Sequence, residues 1–263
     1  MKGTLGSLLR GAVAAQVLTA LVLAGCAPAA AKPAASAPPA ARQWPFRVTA
    51  ALRQDLGLVS GRDVCTKEAQ LGRGFGCFRE NVTQYHGTPL PERTPSPARL
   101  EAATTRALAG LDYLVLENVT AGARLGVVVR GLGPRQDGAA APVPLLFHGE
   151  ARAAYWFGAA PFAGDGLRLG VFLAGGIAQV DSAFRVRVEE DTSVPPPVVQ
   201  LDNPASQTLD VYRKSGTGFA GGGVTVAYAF LRRAAVFAEV MAIQLFPSEG
   251  TAFSPVLGYE HGF

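Results

Sequence analysis

The sequence is poor in charged residues and has no long apolar run beyond its first 26 residues. Charged residues make up 17% of the 263 residues, whereas soluble domains usually carry about 25%. A membrane-spanning helix needs about 20 predominantly apolar residues in a row, and no segment after Cys26 supplies them. The formal net charge of +4 is small and no basic cluster accompanies it, so nothing points to nucleic acid as a partner.

Residues for metal binding and nucleophilic catalysis are also scarce. The chain has three histidines and three cysteines, and none of them stands at the spacing of a metal site. His86, His148 and His261 have no nucleophile motif nearby. The Gly-rich stretches do not join a strand to a helix, as a phosphate loop does. The sequence therefore predicts a protein that is not an enzyme and holds no metal or cofactor.

The first 26 residues have the organisation of an export signal. A short basic region ends at Arg10, and an apolar region of secretory length runs to Leu23. The sequence Leu-Ala-Gly-Cys that ends at Cys26 resembles the lipobox of bacterial lipoproteins. This resemblance implies a diacylated Cys26 as the new N-terminus, and Ala27 behind it implies passage to the outer membrane. Ordinary cleavage at a nearby site, for example after Ala29, is the alternative.

An Ala/Pro-rich linker over residues 27–43, which cannot bury a core, follows Cys26. Apart from Cys26, the chain has two cysteines. Cys65 and Cys77 enclose a Gly-rich stretch. In an oxidising compartment an even cysteine count favours a disulfide. A metal pair is the competing interpretation, but no further ligand stands at suitable spacing. We therefore predict a Cys65–Cys77 disulfide in a long loop.

From residue 44 onwards, runs of about ten residues alternate large apolar with small or polar side chains, which is the period of a β-strand. We place eight strands near 44–53, 98–110, 119–131, 146–158, 166–188, 208–230, 234–246 and 253–263. The connections between them alternate between long and short. This pattern predicts an all-β fold for residues 44–263: an eight-stranded antiparallel up-and-down transmembrane β-barrel with long outer loops and short periplasmic turns.

In several of these strands the charged side chains lie opposite an apolar face. In a membrane barrel they point inward, because a charge on the lipid face at the bilayer midplane costs about 2–4 kcal/mol. An eight-stranded barrel has room inside only for side chains. We therefore predict an internal ion-pair network that closes the lumen, with a narrow polar pore as the functional alternative. Its members are Arg47, Arg106, Arg124, His148, Glu150, Arg152, Glu239 and Glu260.

Two other functions stay open at this point. A soluble lipoprotein with a lipocalin-like barrel that binds a hydrophobic ligand would place apolar side chains inside and charges outside. An enzyme acting on envelope lipids at the barrel rim would place His148 or His86 within hydrogen-bonding distance of a carboxylate and a hydroxyl group.

The chain ends on Phe263, with Gly258 five residues before it. This ending resembles the C-terminal assembly signal of bacterial outer-membrane barrels, which implies recognition by the barrel assembly machinery. Residues 46–263 resemble the small barrels of the OmpA/OmpW type, and most closely a group of uncharacterised barrel proteins of myxobacteria-like genomes. Four segments carry the likeness: 148–157, 175–180, 216–221 and 246–259.

These resemblances imply a fold and a location but no activity. We expect an outer-membrane protein of a Gram-negative bacterium with a structural, surface-interaction or small-solute role. Its expected partners are outer-membrane lipid, the assembly machinery and a surface partner bound through the loop at 54–97, with no nucleic acid among them.

Overall fold

A computed structural model of the chain describes residues 44–80, 82–91, 96–131, 133–134, 145–158, 160–195, 204–231, 233–247 and 250–263. The predicted signal peptide, the lipidation site Cys26 and the linker up to residue 43 lie outside the described residues. The elements in chain order are β1 (Phe46–Gly61), α1 (Lys67–Gly72), β2 (Phe75–Phe78), β3 (Ser96–Leu116), β4 (Val119–Arg130), β5 (Phe147–Trp156), β6 (Gly166–Ile177), β7 (Val180–Glu189), β8 (Ser206–Ser215), β9 (Gly218–Leu231), β10 (Ala234–Phe246) and β11 (Gly250–Gly262).

Eight of the described strands form a closed barrel in the order β1-β11-β10-β9-β6-β5-β4-β3. Every neighbouring pair is antiparallel, and β1 closes the ring by pairing with both β11 and β3, for example Val48 with His261 and Phe46 with Tyr113. Each strand pairs with the barrel strand next to it in sequence. The predicted fold class, an eight-stranded up-and-down antiparallel barrel, is confirmed.

The two ends of the barrel differ in their connections. At one end, here called the short-turn end, residues 117–118, 157–165 and 232–233 join neighbouring strands. At the other, here called the long-loop end, the connections are 62–95, 131–146, 178–217 and the short 247–249. Among the described residues, no helix is both long and apolar enough to cross a membrane.

Two of the eight strands expected from the sequence each combine two strands of the structure. Residues 166–188 divide into β6 and β7, and residues 208–230 divide into β8 and β9. In each case only one half belongs to the barrel. The alternation does not reveal the break, because buried residues keep the same parity on both sides of it. Gly216, with φ of 72°, turns the chain between β8 and β9.

The halves that leave the barrel build a second sheet, in the order β2-β8-β7. We call the described residues 62–91 and 180–215, which carry this sheet and α1, the loop unit. Thr66 caps α1 by accepting a hydrogen bond from the Ala69 amide. The predicted Cys65–Cys77 disulfide is present and joins the start of the unit to β2.

The loop unit has a hydrophobic core of its own. Its buried members are Val64, Cys65, Ala69, Phe75, Cys77, Tyr85, Phe184, Val186, Val188, Leu209 and Val211, and Val59 of β1 packs with them. Gln70 ties the helix to this core, because its side-chain NH2 donates to the carbonyls of Cys65 and Tyr85 and its side-chain oxygen accepts from the Cys77 amide.

The outer loop expected at 54–97 is shorter than predicted, since β1 runs on to Gly61 and β3 starts at Ser96.

Candidate functional site: the charged interior of the barrel

Alternate residues of each barrel strand point inward, so charges in these positions meet inside the ring. All eight predicted members of the network are buried. Charged side chains that the sequence reasoning did not include join them: Arg53, Asp55, Asp112, Arg168 and Asp181. All of these except Asp112 and Asp181 form three groups along the barrel, which we call the lower, middle and upper clusters, counted from the short-turn end.

The lower cluster closes the short-turn end. Arg47 of β1 and Arg168 of β6 both donate to Oε1 of Glu260 on β11, at 2.8 Å and 3.1 Å. Phe162, from the turn between β5 and β6, lies buried against them. The Arg47 guanidinium stands 3.6 Å above its ring centre, and the ring packs edge-on against Trp156. A turn residue thus plugs this end of the barrel.

The middle cluster is centred on one carboxylate. Glu239 of β10 accepts from Arg124 of β4, at 2.7 Å and 3.0 Å. It also accepts from Arg152 of β5, at 2.9 Å and 3.2 Å. These contacts reach across the ring, because β10 is not a neighbour of β4 or β5 in the sheet. The pairs therefore bridge the lumen from wall to wall.

The upper cluster contains the histidine. Arg53 donates to Glu150 at 2.8 Å and to Asp55 at 3.2 Å. His148 lies 3.2 Å from the same Glu150 oxygen and stacks on Phe219. Two further contacts complete the group: Arg106 forms an ion pair with Asp55, and Ser254 donates to Asp55 at 2.6 Å.

The chain segment between β6 and β7 crosses the long-loop end above the upper cluster. Residues 178–182 are buried there. Arg106 donates to the carbonyl of Gln179, and the Thr104 hydroxyl accepts from the amide of Asp181. Burial raises the pKa of Asp181, and nearby Lys214 partly offsets the rise. The interior is thus covered at both ends by the chain's own residues.

One part of the inner wall is apolar. Strands β6, β9 and β10 contribute Phe172, Ala174, Phe219, Ala227, Phe237, Met241, Ile243 and Leu245 to a buried cluster. Guanidinium groups lie over several of the rings: Arg152 over Phe172 at 4.5 Å and Arg124 over Phe237 at 5.3 Å. Cation–π contact favours such an arrangement in a site removed from water.

Large apolar side chains cover the outside of the barrel. Exposed residues include Leu52, Leu111, Leu125, Val127, Leu167, Leu173, Val224, Val226, Val240 and Leu257. Phe147, Phe246 and Phe253 are exposed towards the long-loop end. The other exposed aromatic residues on the barrel lie towards the short-turn end: Phe46, Tyr113, Tyr155, Phe157, Tyr228, Phe230, Tyr259 and Phe263. Trp156 is buried inside the barrel, where its indole N–H donates to the Thr120 hydroxyl.

A search against protein-family models and a search of curated proteins found no match. Solved structures resemble the fold. The N-terminal β-barrel domain of Pseudomonas aeruginosa OprF matches with a TM-score of 0.36 and 10% identity over 83% of this chain and 99% of that one. Ail, the attachment invasion locus protein of Yersinia pestis, matches with a TM-score of 0.40 and 9% identity over 84% of this chain and 100% of that one. Neisserial surface protein A matches with a TM-score of 0.37 and 11% identity over 83% of this chain and 97% of that one.

These likenesses do not bear on the activity of the chain. With no family model matching, the narrower resemblance to the OmpA/OmpW type stays a prediction.

The interior does not suit a lipocalin-like carrier, and the position of His148 does not suit an enzyme at the rim. A lipocalin-like carrier needs an apolar cavity with charges outside, and here the charged residues of the three clusters are inside and the leucines outside. His148 does reach a carboxylate, but it is wholly buried in the upper cluster rather than at the rim. In the part of the chain that the structure describes, no group of three His, Cys, Asp or Glu side chains has the geometry of a metal site.

The two residues of the predicted assembly signal are Gly258 and Phe263. Gly258 sits within β11, opposite Ala51 of β1 and Phe237 of β10. Phe263 ends the chain at the short-turn end, where its amide donates to the carbonyl of Phe46. Their recognition by an assembly machinery stays a prediction.

The network members that were missed carry a signal in the sequence. Arg53 and Asp55 share the parity of Arg47; Arg53 is the last residue of the strand expected at 44–53, and Asp55 lies two residues beyond it. Arg168 has the parity of its buried neighbours in β6. The contact of Phe162 comes from a turn, where alternation gives no information.

Proposed function

We propose that the chain is an outer-membrane barrel of a Gram-negative bacterium, with a closed lumen, that holds the loop unit at the cell surface. One observation carries this proposal: the barrel is apolar outside and charged inside. In water such a surface would expose an apolar belt far larger than monomeric soluble proteins tolerate. In a bilayer the same belt faces hydrocarbon, and the charges are shielded from it.

A closed lumen favours a structural role over transport. The three clusters bridge the interior with paired charges, and both ends are covered by buried residues, Phe162 at one end and residues 178–182 at the other. Breaking a buried pair leaves an uncompensated charge, so the paired state is strongly preferred. The barrel then serves as a rigid anchor rather than as a pore.

An anchor of this kind would hold the loop unit at the outer surface of the cell. It has a separate core and a disulfide, so its shape does not depend on contact with lipid. We propose it as the surface that meets an outside partner. The proposal also requires outer-membrane lipid and the barrel assembly machinery as partners, and it is compatible with a lipid on Cys26.

The first test is to extract the protein from membranes and compare boiled with unboiled samples on a gel, then to measure conductance in planar bilayers. We expect a compact band that shifts on boiling, and conductance no higher than that of the bare bilayer. Extraction into buffer without detergent after removal of the N-terminal lipid, with no shift, would contradict the membrane location. A steady channel current would contradict the closed lumen and favour the narrow pore.

A further inference from the structure

Two polar side chains interrupt the apolar outer surface of the barrel on the seam between β1 and β3. Gln54 of β1 and Thr105 of β3 are opposite each other in the register, and both are half-buried. The register shifts immediately beyond them, between Gln54 and Leu56. Such an irregularity takes backbone groups out of the ladder and leaves them in need of other partners.

Gln54 supplies these partners. Its side-chain amide donates to the carbonyl of Asp55 at 2.8 Å and to the carbonyl of Ala103 at 3.1 Å. Its side-chain oxygen accepts from the Thr105 hydroxyl at 2.6 Å. Both amide hydrogens are therefore used, and the hydroxyl hydrogen is used as well. The donor hydrogens of this pair therefore need no hydrogen bond to water.

Exposed leucines lie on both sides of this pair along the seam. Leu52, on the side of the short-turn end, is 60% exposed. Leu58 and Leu100 lie on the side of the long-loop end, paired with each other, and are 37% and 51% exposed. The apolar belt thus resumes beyond Gln54.

A second polar pair on the outside of the barrel differs in its hydrogen bonds. The Thr251 hydroxyl of β11 donates to the side-chain oxygen of Gln244 of β10 at 3.0 Å. Gln244 is exposed, and within the described residues its amide donates to no backbone carbonyl. The side-chain amide of Gln244 is thus available to donate to water or to lipid headgroups.

We propose that the acyl chains of the outer leaflet cover the β1–β3 seam past Gln54, as far as Leu58 and Leu100. Gln54 then acts as a seal that keeps the carbonyls of Asp55 and Ala103 bonded where no water reaches them. Backbone groups left unbonded in hydrocarbon are strongly disfavoured, which explains a polar side chain at this place. Because the lipid contact rests on the proposed membrane location, the test separates the two.

The experiment attaches a nitroxide to single cysteines in the full mature chain, reconstituted in phosphatidylcholine/phosphatidylglycerol vesicles. The test position is Leu100→Cys, the reference within the belt is Leu52→Cys, and the reference in the loop unit is Leu71→Cys. Electron paramagnetic resonance then measures collision with oxygen, which concentrates in lipid, and with a water-soluble nickel complex. We expect the Leu52 and Leu100 labels to favour oxygen and the Leu71 label to favour nickel.

Each other outcome has one meaning. A nickel-accessible label at Leu100 with an oxygen-accessible label at Leu52 overturns the covered seam and leaves the membrane barrel standing. Low collision with both reagents at Leu100 shows protein cover, such as a second copy, and also overturns it. A nickel-accessible label at Leu52 overturns the proposed function itself.

The role of Gln54 as a positioning residue has its own matched pair, Gln54→Leu and Gln244→Leu. We expect Gln54→Leu to speed unfolding in vesicles by at least about tenfold, because two carbonyls lose their partner in hydrocarbon. The effect should be smaller in detergent micelles, where water reaches the seam, and Gln244→Leu should change neither rate. An equal effect of Gln54→Leu in vesicles and micelles would contradict the seal.

Discussion

The barrel and the loop unit are both built from strands with the same alternation, yet their outer surfaces are opposite and so is the place of most of their charges. The barrel buries arginine and glutamate beside the apolar part of its wall and exposes leucine and valine, whereas the loop unit buries valine, leucine and phenylalanine and exposes Arg185, Arg187 and Glu189. A period of two fixes only that two faces differ. Which face turns inward depends on whether the surroundings are water or lipid.

The two interiors are also stabilised by different forces. In the barrel, Glu239 forms ion pairs with Arg124 and Arg152 that connect opposite walls of the lumen. In the loop unit, the buried cluster is apolar, and one of the polar contacts beside it is the hydrogen bond that the Tyr85 hydroxyl donates to Glu190. Burial, together with this hydrogen bond, raises the pKa of Tyr85. Substitutions in each region test this contrast.

The largest effect is expected from Glu239→Ala in the barrel. The substitution leaves Arg124 and Arg152 buried without their carboxylate. Removing one partner of a buried ion pair costs about 3–5 kcal/mol. We expect a loss of this size in the free energy of unfolding, measured by urea titration in lipid vesicles.

The matched control is Glu101→Ala, which breaks the exposed pair between Glu101 and Arg99, 2.7 Å apart. Exposed pairs contribute about 0.2–1 kcal/mol, so this variant should unfold almost as the parent does. Equal losses in the two variants would mean that the interior charges do not hold the barrel together.

A smaller and local effect is expected when the disulfide is removed by Cys65→Ser with Cys77→Ser. The bridge joins residues 12 apart in sequence, and closing a loop of this length contributes about 3 kcal/mol. We expect faster protease cleavage and faster amide exchange in residues 62–91, with the gel shift of the barrel unchanged. Loss of the gel shift would show that the two regions do not fold independently.

The smallest effect concerns the junction of the two regions. Because burial raises the pKa of Asp181, the folded state binds its proton more tightly than the unfolded state does. Stability is therefore highest below the ordinary carboxyl pKa, and the contribution falls as the pH rises through the raised pKa. In Asp181→Asn this dependence should disappear.

The measurement for Asp181→Asn is the amide exchange of β7 between about pH 4 and pH 7, corrected for the intrinsic rate, against the parent chain. If Asp181→Asn shows the same pH dependence as the parent chain, the titrating group is not Asp181.

The fold was more predictable than the network. Alternation located every barrel strand and predicted that Arg47, Arg124 and Glu150 point to one face, since local parity decides this. The partners were not predictable, because a partner lies across the ring. Arg47 and Glu260 are 213 positions apart in sequence. Asp55 was missed because the first strand was expected to end at residue 53. Arg168 lay inside an expected strand, and its parity already matched that of its buried neighbours.

The sequence by itself determined the strand period, the separation into apolar and charged faces, and the cysteine pair, since each depends on neighbours in the chain. Only the tertiary structure decided which strands close the ring and which leave it. Residues 166–177 and 180–189 share one alternation, and the difference between them is the strand each finds as its partner, β5 and β9 for one and β8 for the other. Strand pairing is a contact between distant segments of the chain. Because every strand has the same period of two, the alternation within a segment does not show which strand it pairs with.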